Sequence, residues 1–125
     1  MAKLIVYIAG LGFLGFGIAA LIDPERLLAG MGLQVGGSGS LTTELRAFYG
    51  GLELGLGGLT ILLALRDRLT DALGLTLVAY GSLAAGRLIG ILVAGDVNTM
   101  IWVALAIEVI VASLAGWQML AGRRA

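Results

Sequence analysis

Four long apolar runs are the feature of this sequence that most constrains its fold. Each is close to the roughly 20 apolar residues that an α-helix needs to cross the hydrocarbon core of a bilayer. Hydrophobic residues make up 59% of the chain and charged residues only 13%, whereas soluble domains carry about 25% charged residues. The sequence therefore predicts one membrane domain, residues 1–125, folded as an all-α four-helix bundle with spans at 4–22, 44–65, 71–95 and 98–121.

The connection 23–43 is the longest between these spans, and its two parts differ in composition. Pro24, the only proline, ends the first helix because its ring cannot continue it. The apolar stretch from Pro24 to Leu33 predicts a short helix lying in the membrane interface. The following GGSGSLTT is rich in small polar residues and predicts a flexible loop before the second span.

Basic residues are distributed unevenly between the two ends of the predicted bundle. Loops rich in Lys and Arg stay in the cytoplasm, and one end of the bundle has Lys3, Arg66, Arg68, Arg123 and Arg124. The other end has Arg26 as its basic loop residue, together with several acidic residues. We therefore expect both termini in the cytoplasm and the loop 23–43 on the outer side.

Missing residue types exclude several classes of function. The chain has no cysteine and no histidine, which excludes disulfides, iron–sulfur clusters, histidine-ligated haem and the common zinc sites. We expect no cofactor and no metal site. The net charge of zero argues against a nucleic-acid partner held through its phosphates. No nucleophile–base pair is visible, so an enzyme is the least expected class.

Two patterns near the N-terminus are interpreted as parts of a membrane helix. Residues 10–15, GLGFLG, match the dinucleotide fingerprint G-x-G-x-x-G, but no parallel strands follow to complete the required βαβ unit. Gly10, Gly12, Gly15 and Gly17 fit better as small residues that let another helix approach. The first span also resembles a signal peptide, yet its apolar run is longer than such a segment needs.

Three charged residues interrupt the apolar spans and give the strongest sign of function. Glu53, Arg87 and Glu108 each lie about 12–15 Å from the outer end of their span, at about 1.5 Å per residue. Charges near the bilayer centre are costly and rarely face lipid. Because the three share one depth, we expect them to meet inside the bundle.

A fourth charge would balance this set. Arg46 lies seven residues before Glu53, which places both on one face of an α-helix. The spacing predicts a ladder of ion pairs, Arg46–Glu53–Arg87–Glu108, with Tyr49 and Tyr80 beside it. Without Arg46, one negative charge would remain, and it would take up a proton or attract a cation.

Glycine pairs four residues apart predict close helix contacts. Gly51 and Gly55 form one pair, next to Gly50, and Gly86 and Gly90 form another. They serve either the bundle itself or contacts with a homo-oligomer or another membrane protein; the lipid bilayer is the remaining expected partner.

Three interpretations of the charged cluster remain open. It is a pocket, open to the outer side, that binds or transports a small molecule, an ion or a lipid head group. Alternatively, the chain is an accessory or structural protein, a homo-oligomer or a subunit of a larger complex, whose ion pairs fix helix packing. Proton movement along the same residues is the third.

Several of these residues also carry a family resemblance. The runs ELRAFYGGLELGLG (44–57) and GRLIGILVAGD (86–96), with Glu108 in the last helix, resemble the domain of unknown function 4345 family of small bacterial membrane proteins. The most specific part is the R-A-x-Y-G-G core that begins at Arg46; Glu53 stands where many relatives are expected to carry a neutral polar residue. The resemblance implies four helices, a bacterial inner membrane and a periplasmic loop 23–43, but no substrate.

Overall fold

Every element in the described part of the chain is a helix. The computed structural model of the protein describes residues 1–34 and 36–122. Its elements in chain order are α1 (Ala2–Ile22), α2 (Pro24–Gly30), α3 (Gly39–Leu45), a π-helical segment (Arg46–Leu52), α4 (Glu53–Leu65), α5 (Leu69–Ala94) and α6 (Thr99–Gly122).

Four stretches of helix are long and apolar enough to cross a membrane. They are α1, the continuous helix Gly39–Leu65, α5 and α6. We call Gly39–Leu65 the second span; it consists of α3, the π segment and α4. The predicted all-α membrane bundle of four helices is thus confirmed, with boundaries that differ by a few residues at most ends.

The connection after α1 contains the predicted short helix, α2. Asp23 caps it, because its side chain accepts a hydrogen bond from the backbone N–H of Arg26 at 3.0 Å. Pro24 occupies the first turn, where a missing N–H costs nothing. The same two residues therefore end α1 and start α2.

The predicted flexible loop is wrong in its second half. Helix α3 begins at Gly39, five residues before the predicted start of the span. Ser38 caps it by accepting a hydrogen bond from the N–H of Leu41 at 3.2 Å. Small polar residues are typical of loops as well as of N-caps, so the composition of GGSGSLTT did not reveal this cap. The helical residues Gly39 to Thr43 extend the second span.

The four spans associate as two closely packed pairs. Helix α1 packs along the second span, and α5 packs along α6; contacts between the pairs are less extensive. One apolar cluster joins both pairs near the end of the bundle where the chain starts; it consists of Ile5, Val6, Ala64, Ala72, Leu73 and Ala115. We call the opposite end, where α1 ends and α6 begins, the α2 end.

Glycines bring the backbones of α1 and the second span into contact. A Cβ atom on Gly57 would lie 2.7 Å from the carbonyl oxygen of Gly10, and one on Gly17 would lie 2.9 Å from the backbone nitrogen of Leu54. No side chain fits at these positions, so the small residues fix the distance between the two helices.

The predicted packing glycines behave differently from one another. A Cβ on Gly50 would lie 2.6 Å from a side-chain carbon of Leu21, which confirms a close contact there. A Cβ on Gly51 would meet only the carbonyl oxygen of Arg46, at 4.0 Å, and one on Gly55, Gly86 or Gly90 would meet nothing within 4 Å among the described residues. Those four do not pack the bundle; a contact with another chain stays a prediction.

Candidate functional site

Arg87 and Glu108 form an ion pair between α5 and α6. The Nη2 atom of Arg87 donates to Oε1 of Glu108 at 2.7 Å, and its Nε atom donates to Oε2 at 3.0 Å. The Glu108 side chain is 8% exposed and that of Arg87 23%. Two parallel hydrogen bonds of this kind strengthen the ion pair and fix the relative orientation of the two side chains.

The hairpin of α5 and α6 explains why these two residues meet. The helices are joined by the short connection 95–98, so they run antiparallel. Arg87 precedes this connection and Glu108 follows it by similar distances along the helices, which places both at one level. The shared depth predicted for these two charges is confirmed.

Glu53 lies beside the ion pair but is not part of it. It is the first residue of α4 and is partly buried. Within residues 1–34 and 36–122, no Lys or Arg nitrogen lies within 4.0 Å of its carboxylate, and its side chain makes no hydrogen bond. Glu53, Arg87 and Glu108 nevertheless line one cavity. The prediction that the three charges lie together is therefore confirmed. Within the described residues, an ion pair forms between Arg87 and Glu108 and does not include Glu53.

The predicted ladder is wrong at Arg46. The Nε atom of Arg46 donates to the backbone carbonyl of Leu21, at 3.1 Å, in the last turn of α1. Carbonyls in the last turn of a helix lack intrahelical partners, and the negative end of the helix dipole attracts a cation. Arg46 thus completes the end of α1 and forms no salt bridge within the described residues.

The π segment is the physical reason for this error. Arg46 and Glu53 would share a face if the intervening turns were α-helical. Residues Arg46–Leu52 are instead π-helical, with hydrogen bonds that reach one residue further than in an α-helix. The wider turns change the angular offset over seven residues, so Arg46 faces the end of α1 whereas Glu53 faces the cavity.

Two tyrosines near the charged residues contact aromatic side chains of α1. The hydroxyl of Tyr80 donates to the carbonyl of Ala9 at 3.1 Å, and its ring lies 4.7 Å from that of Phe13. The ring of Tyr49, in the π segment, lies 6.1 Å from that of Phe16. Both tyrosines line the same cavity as the three charges, as predicted.

We call this space the polar cavity; its volume is about 300 Å³. All four spans contribute to it, and its lining combines the three charged residues with aromatic and aliphatic side chains. Leu28, Met31 and Leu33 line it from the connection after α1. The complete lining is Gly12, Phe13, Phe16, Leu28, Met31, Leu33, Tyr49, Glu53, Tyr80, Leu83, Arg87, Ala104, Ile107 and Glu108.

Helix α2 is held at this position by hydrogen bonds on both sides. The Thr42 hydroxyl donates to the Glu25 carboxylate, which ties α2 to α3. The Asn98 side-chain amide donates to the carbonyl of Met31 at 3.1 Å, while its oxygen accepts from the N–H of Ile101 at 3.2 Å. Asn98 therefore caps α6 and anchors α2 as well.

A second space, the lateral groove, lies between the second span and α5. Its volume is about 660 Å³. Four residues line both the groove and the polar cavity, and the rest of the groove is almost entirely apolar. The shared residues are Phe13, Tyr49, Glu53 and Leu83; the others are Glu44, Leu45, Phe48, Leu52, Leu56, Leu75, Val78, Ala79 and Ser82.

Sequence reasoning missed the apolar part of this site. Phe13 and Phe16 are three residues apart on α1 and so point to similar directions, but in an apolar helix they have no distinctive signal. The contribution of Leu28 and Met31 was missed because the sequence predicts a helix in the membrane interface and gives no sign that its apolar side chains line the bundle. Within the described residues, no three acidic side chains come together as metal ligands.

Comparison with known families identifies the chain. The sequence model described as a domain of unknown function (DUF4345) matches residues 1–119. Neither the curated proteins nor the solved structures gave a match. The match includes all the residues of the polar cavity and the lateral groove. The chain therefore belongs to the domain of unknown function 4345 family.

Proposed function

We propose that this protein binds a small ligand in the polar cavity, as a membrane binding or transport protein and not as an enzyme. The observation that carries the proposal is the Glu53 carboxylate. It lines a cavity of about 300 Å³ and has no cationic partner within 4.0 Å among the described residues. A partly buried charge without a partner is unfavourable in the empty protein, and a ligand can satisfy it.

The structural alternative is favoured by a different observation, the ion pair of Arg87 and Glu108. Its two hydrogen bonds hold α5 and α6 in register, as buried pairs do elsewhere. The two interpretations thus apply to different residues. We assign packing to Arg87 and Glu108, and ligand binding to Glu53 with the aromatic side chains around it.

The α2 end is proposed to face the periplasm of a bacterial cell, with both termini in the cytoplasm. Lys3, Arg66 and Arg68 lie at the opposite end, and basic residues mark cytoplasmic loops; Arg123 and Arg124 lie outside the described residues. An impermeant thiol reagent added to intact spheroplasts should label Glu25→Cys but not Asp67→Cys. The reverse pattern would contradict this orientation.

Access to the polar cavity is tested by cysteine labelling, for which the natural chain offers no competing thiol. Thiol reagents attack the thiolate, which forms in water and not in an apolar environment. Ala104 lines the cavity, so Ala104→Cys should react with a neutral water-soluble maleimide. Two controls on the same helix should not react: Ala112→Cys, which is buried, and Ile110→Cys, on the outer apolar surface.

Two results of the labelling would separate the interpretations. Reaction at Ala104→Cys, slowed by a bound ligand, supports a binding site. An Ala104→Cys protein that is folded but as unreactive as Ala112→Cys would show a closed, dry interior. That result would support only the packing role, as in an accessory or structural membrane protein.

A further inference from the structure

We propose that the ligand is an amphipathic organic cation, with an ammonium group beside Glu53 in the polar cavity and a single apolar tail in the lateral groove. This inference rests on the proposed binding function and specifies the class of ligand. The charge of the cavity, its aromatic lining and its continuity with the groove support it.

The charge of the cavity lining calls for one positive charge, which a proton or a bound cation supplies. Among the described lining residues, Arg87 is basic and Glu53 and Glu108 are acidic. The hydrogen bonds between Arg87 and Glu108 pair those two, so the charge of Glu53 remains. A monocation neutralises the site. A zwitterion would bring a negative group as well, and Arg87, the arginine in the described lining, is already paired with Glu108 and cannot balance it.

The aromatic lining favours an organic ammonium group over a small metal ion. Phe13, Phe16, Tyr49 and Tyr80 all line the polar cavity. Aromatic faces attract cations and replace part of the hydration of an ammonium group. A metal ion would instead need several oxygen ligands, and no cluster of three acidic residues exists among the described residues.

The lateral groove supplies the binding surface for an apolar tail. It meets the polar cavity at Phe13, Tyr49, Glu53 and Leu83, which line both. At its rim, Phe48, Leu52 and Val78 are more than half exposed. The groove therefore opens sideways between the second span and α5, towards the acyl chains of the membrane. A tail lying there would place a terminal charged group at Glu53.

Charges at the α2 end favour the approach of a cation. Four acidic residues lie at this end or at the groove mouth, and two basic residues accompany them, so the end carries net negative charge. A surface of one sign raises the local concentration of the oppositely charged ligand. The acidic residues are Asp23, Glu25, Glu44 and Asp96, and the basic residues are Arg26 and Arg46.

The test compares three probes that have the same tail and different head groups. The protein is placed in nanodiscs of zwitterionic lipid, so that the membrane surface does not itself attract cations. Binding of octyltrimethylammonium, octylphosphocholine and octyl sulfate is measured by calorimetry, with empty nanodiscs as the blank. We expect the cation to bind about tenfold or more tightly than either of the others.

Two variants with matched controls test the location of the ligand. Glu53→Gln should remove the preference for the cationic head, whereas Asp67→Asn, which removes an exposed carboxylate at the opposite end, should keep it. Ser82→Phe narrows the groove and should weaken octyltrimethylammonium more than tetramethylammonium. Ser113→Phe, at an exposed position of α6, should leave both unchanged.

The outcomes separate this inference from the function on which it rests. Equal binding of the three octyl probes, or a cation preference that survives in Glu53→Gln, would overturn the inference. If Ala104→Cys is labelled in such a protein, the binding cavity stands and its ligand belongs to another class. If Ala104→Cys is folded but unreactive and no probe binds, both proposals fail.

Discussion

The two helix pairs of the bundle are held together by different means. Between α1 and the second span, glycines such as Gly10 and Gly57 bring the backbones into direct contact. Between α5 and α6, the ion pair of Arg87 and Glu108 joins the two helices. One interface is fixed by the absence of side chains, the other by a specific polar contact.

This difference explains where the site lies. Each pair is tightly packed within itself, and contacts between the pairs are fewer. The polar cavity and the lateral groove occupy the space between the pairs, because residues of both pairs line them. The two pairs therefore form the two sides of the site, with Glu53 on one side and the ion pair on the other.

The largest expected effect comes from breaking the ion pair. Arg87→Ala leaves Glu108 buried without a partner, which typically costs about 3–5 kcal/mol. The variant should unfold at a much lower temperature in detergent, as followed by circular dichroism. Arg68→Ala is the matched control, since it breaks the exposed pair with Asp71 and should cost at most about 1 kcal/mol. Equal stability of Arg87→Ala and the wild type would refute a packing role for the pair.

A smaller effect is expected from the glycine interface. Gly57→Ala places a methyl group against the Gly10 carbonyl oxygen, and such overpacking costs about 1–3 kcal/mol. Gly58→Ala is the control, because its Cβ would meet nothing within 4 Å among the described residues. Denaturation in sodium dodecyl sulfate measures both. If the two variants unfold alike, the backbones of α1 and the second span are not in contact as described.

Replacement of Arg46 is expected to have the smallest effect of the three. Arg46→Ala removes an exposed hydrogen bond to the carbonyl of Leu21, a loss of about 0.5–1.5 kcal/mol. The same denaturation experiment compares it with Arg87→Ala. A cost as large as that of Arg87→Ala would restore the ladder predicted from the sequence, with Arg46 as its first member.

The sequence predicted what depends on composition and on helix length. Four spans follow from the apolar runs, and the meeting of Arg87 with Glu108 follows from their positions in an antiparallel hairpin. Both conclusions use only the rise per residue of an α-helix, and both are confirmed by the structure.

The errors arose where local geometry departs from an ideal α-helix. The directions in which Arg46 and Glu53 point could not be predicted, because the π segment that begins at Arg46 has no signal in the sequence beyond the consecutive glycines Gly50 and Gly51 within it. Glycine spacing alone also did not distinguish Gly57, which touches α1, from Gly55, which faces open space. Which face a helix buries depends on contacts between distant residues in the chain, and sequence spacing does not record them.

Among the described residues, Glu53 carries the unpaired charge of the site, and Arg87 is paired with Glu108. A double-mutant cycle in detergent tests this claim by measuring how strongly Arg87 is coupled to each carboxylate. The variants are Arg87→Ala, Glu108→Gln and Glu53→Gln, with the two double variants that contain Arg87→Ala.

We predict a coupling of about 1 kcal/mol or more between Arg87 and Glu108, and a clearly smaller coupling between Arg87 and Glu53. Glu53→Gln alone should leave the free energy of unfolding unchanged or raise it, because it removes a partly buried charge that has no partner among residues 1–34 and 36–122. A coupling to Glu53 as large as that to Glu108, with a destabilised Glu53→Gln protein, would contradict the account.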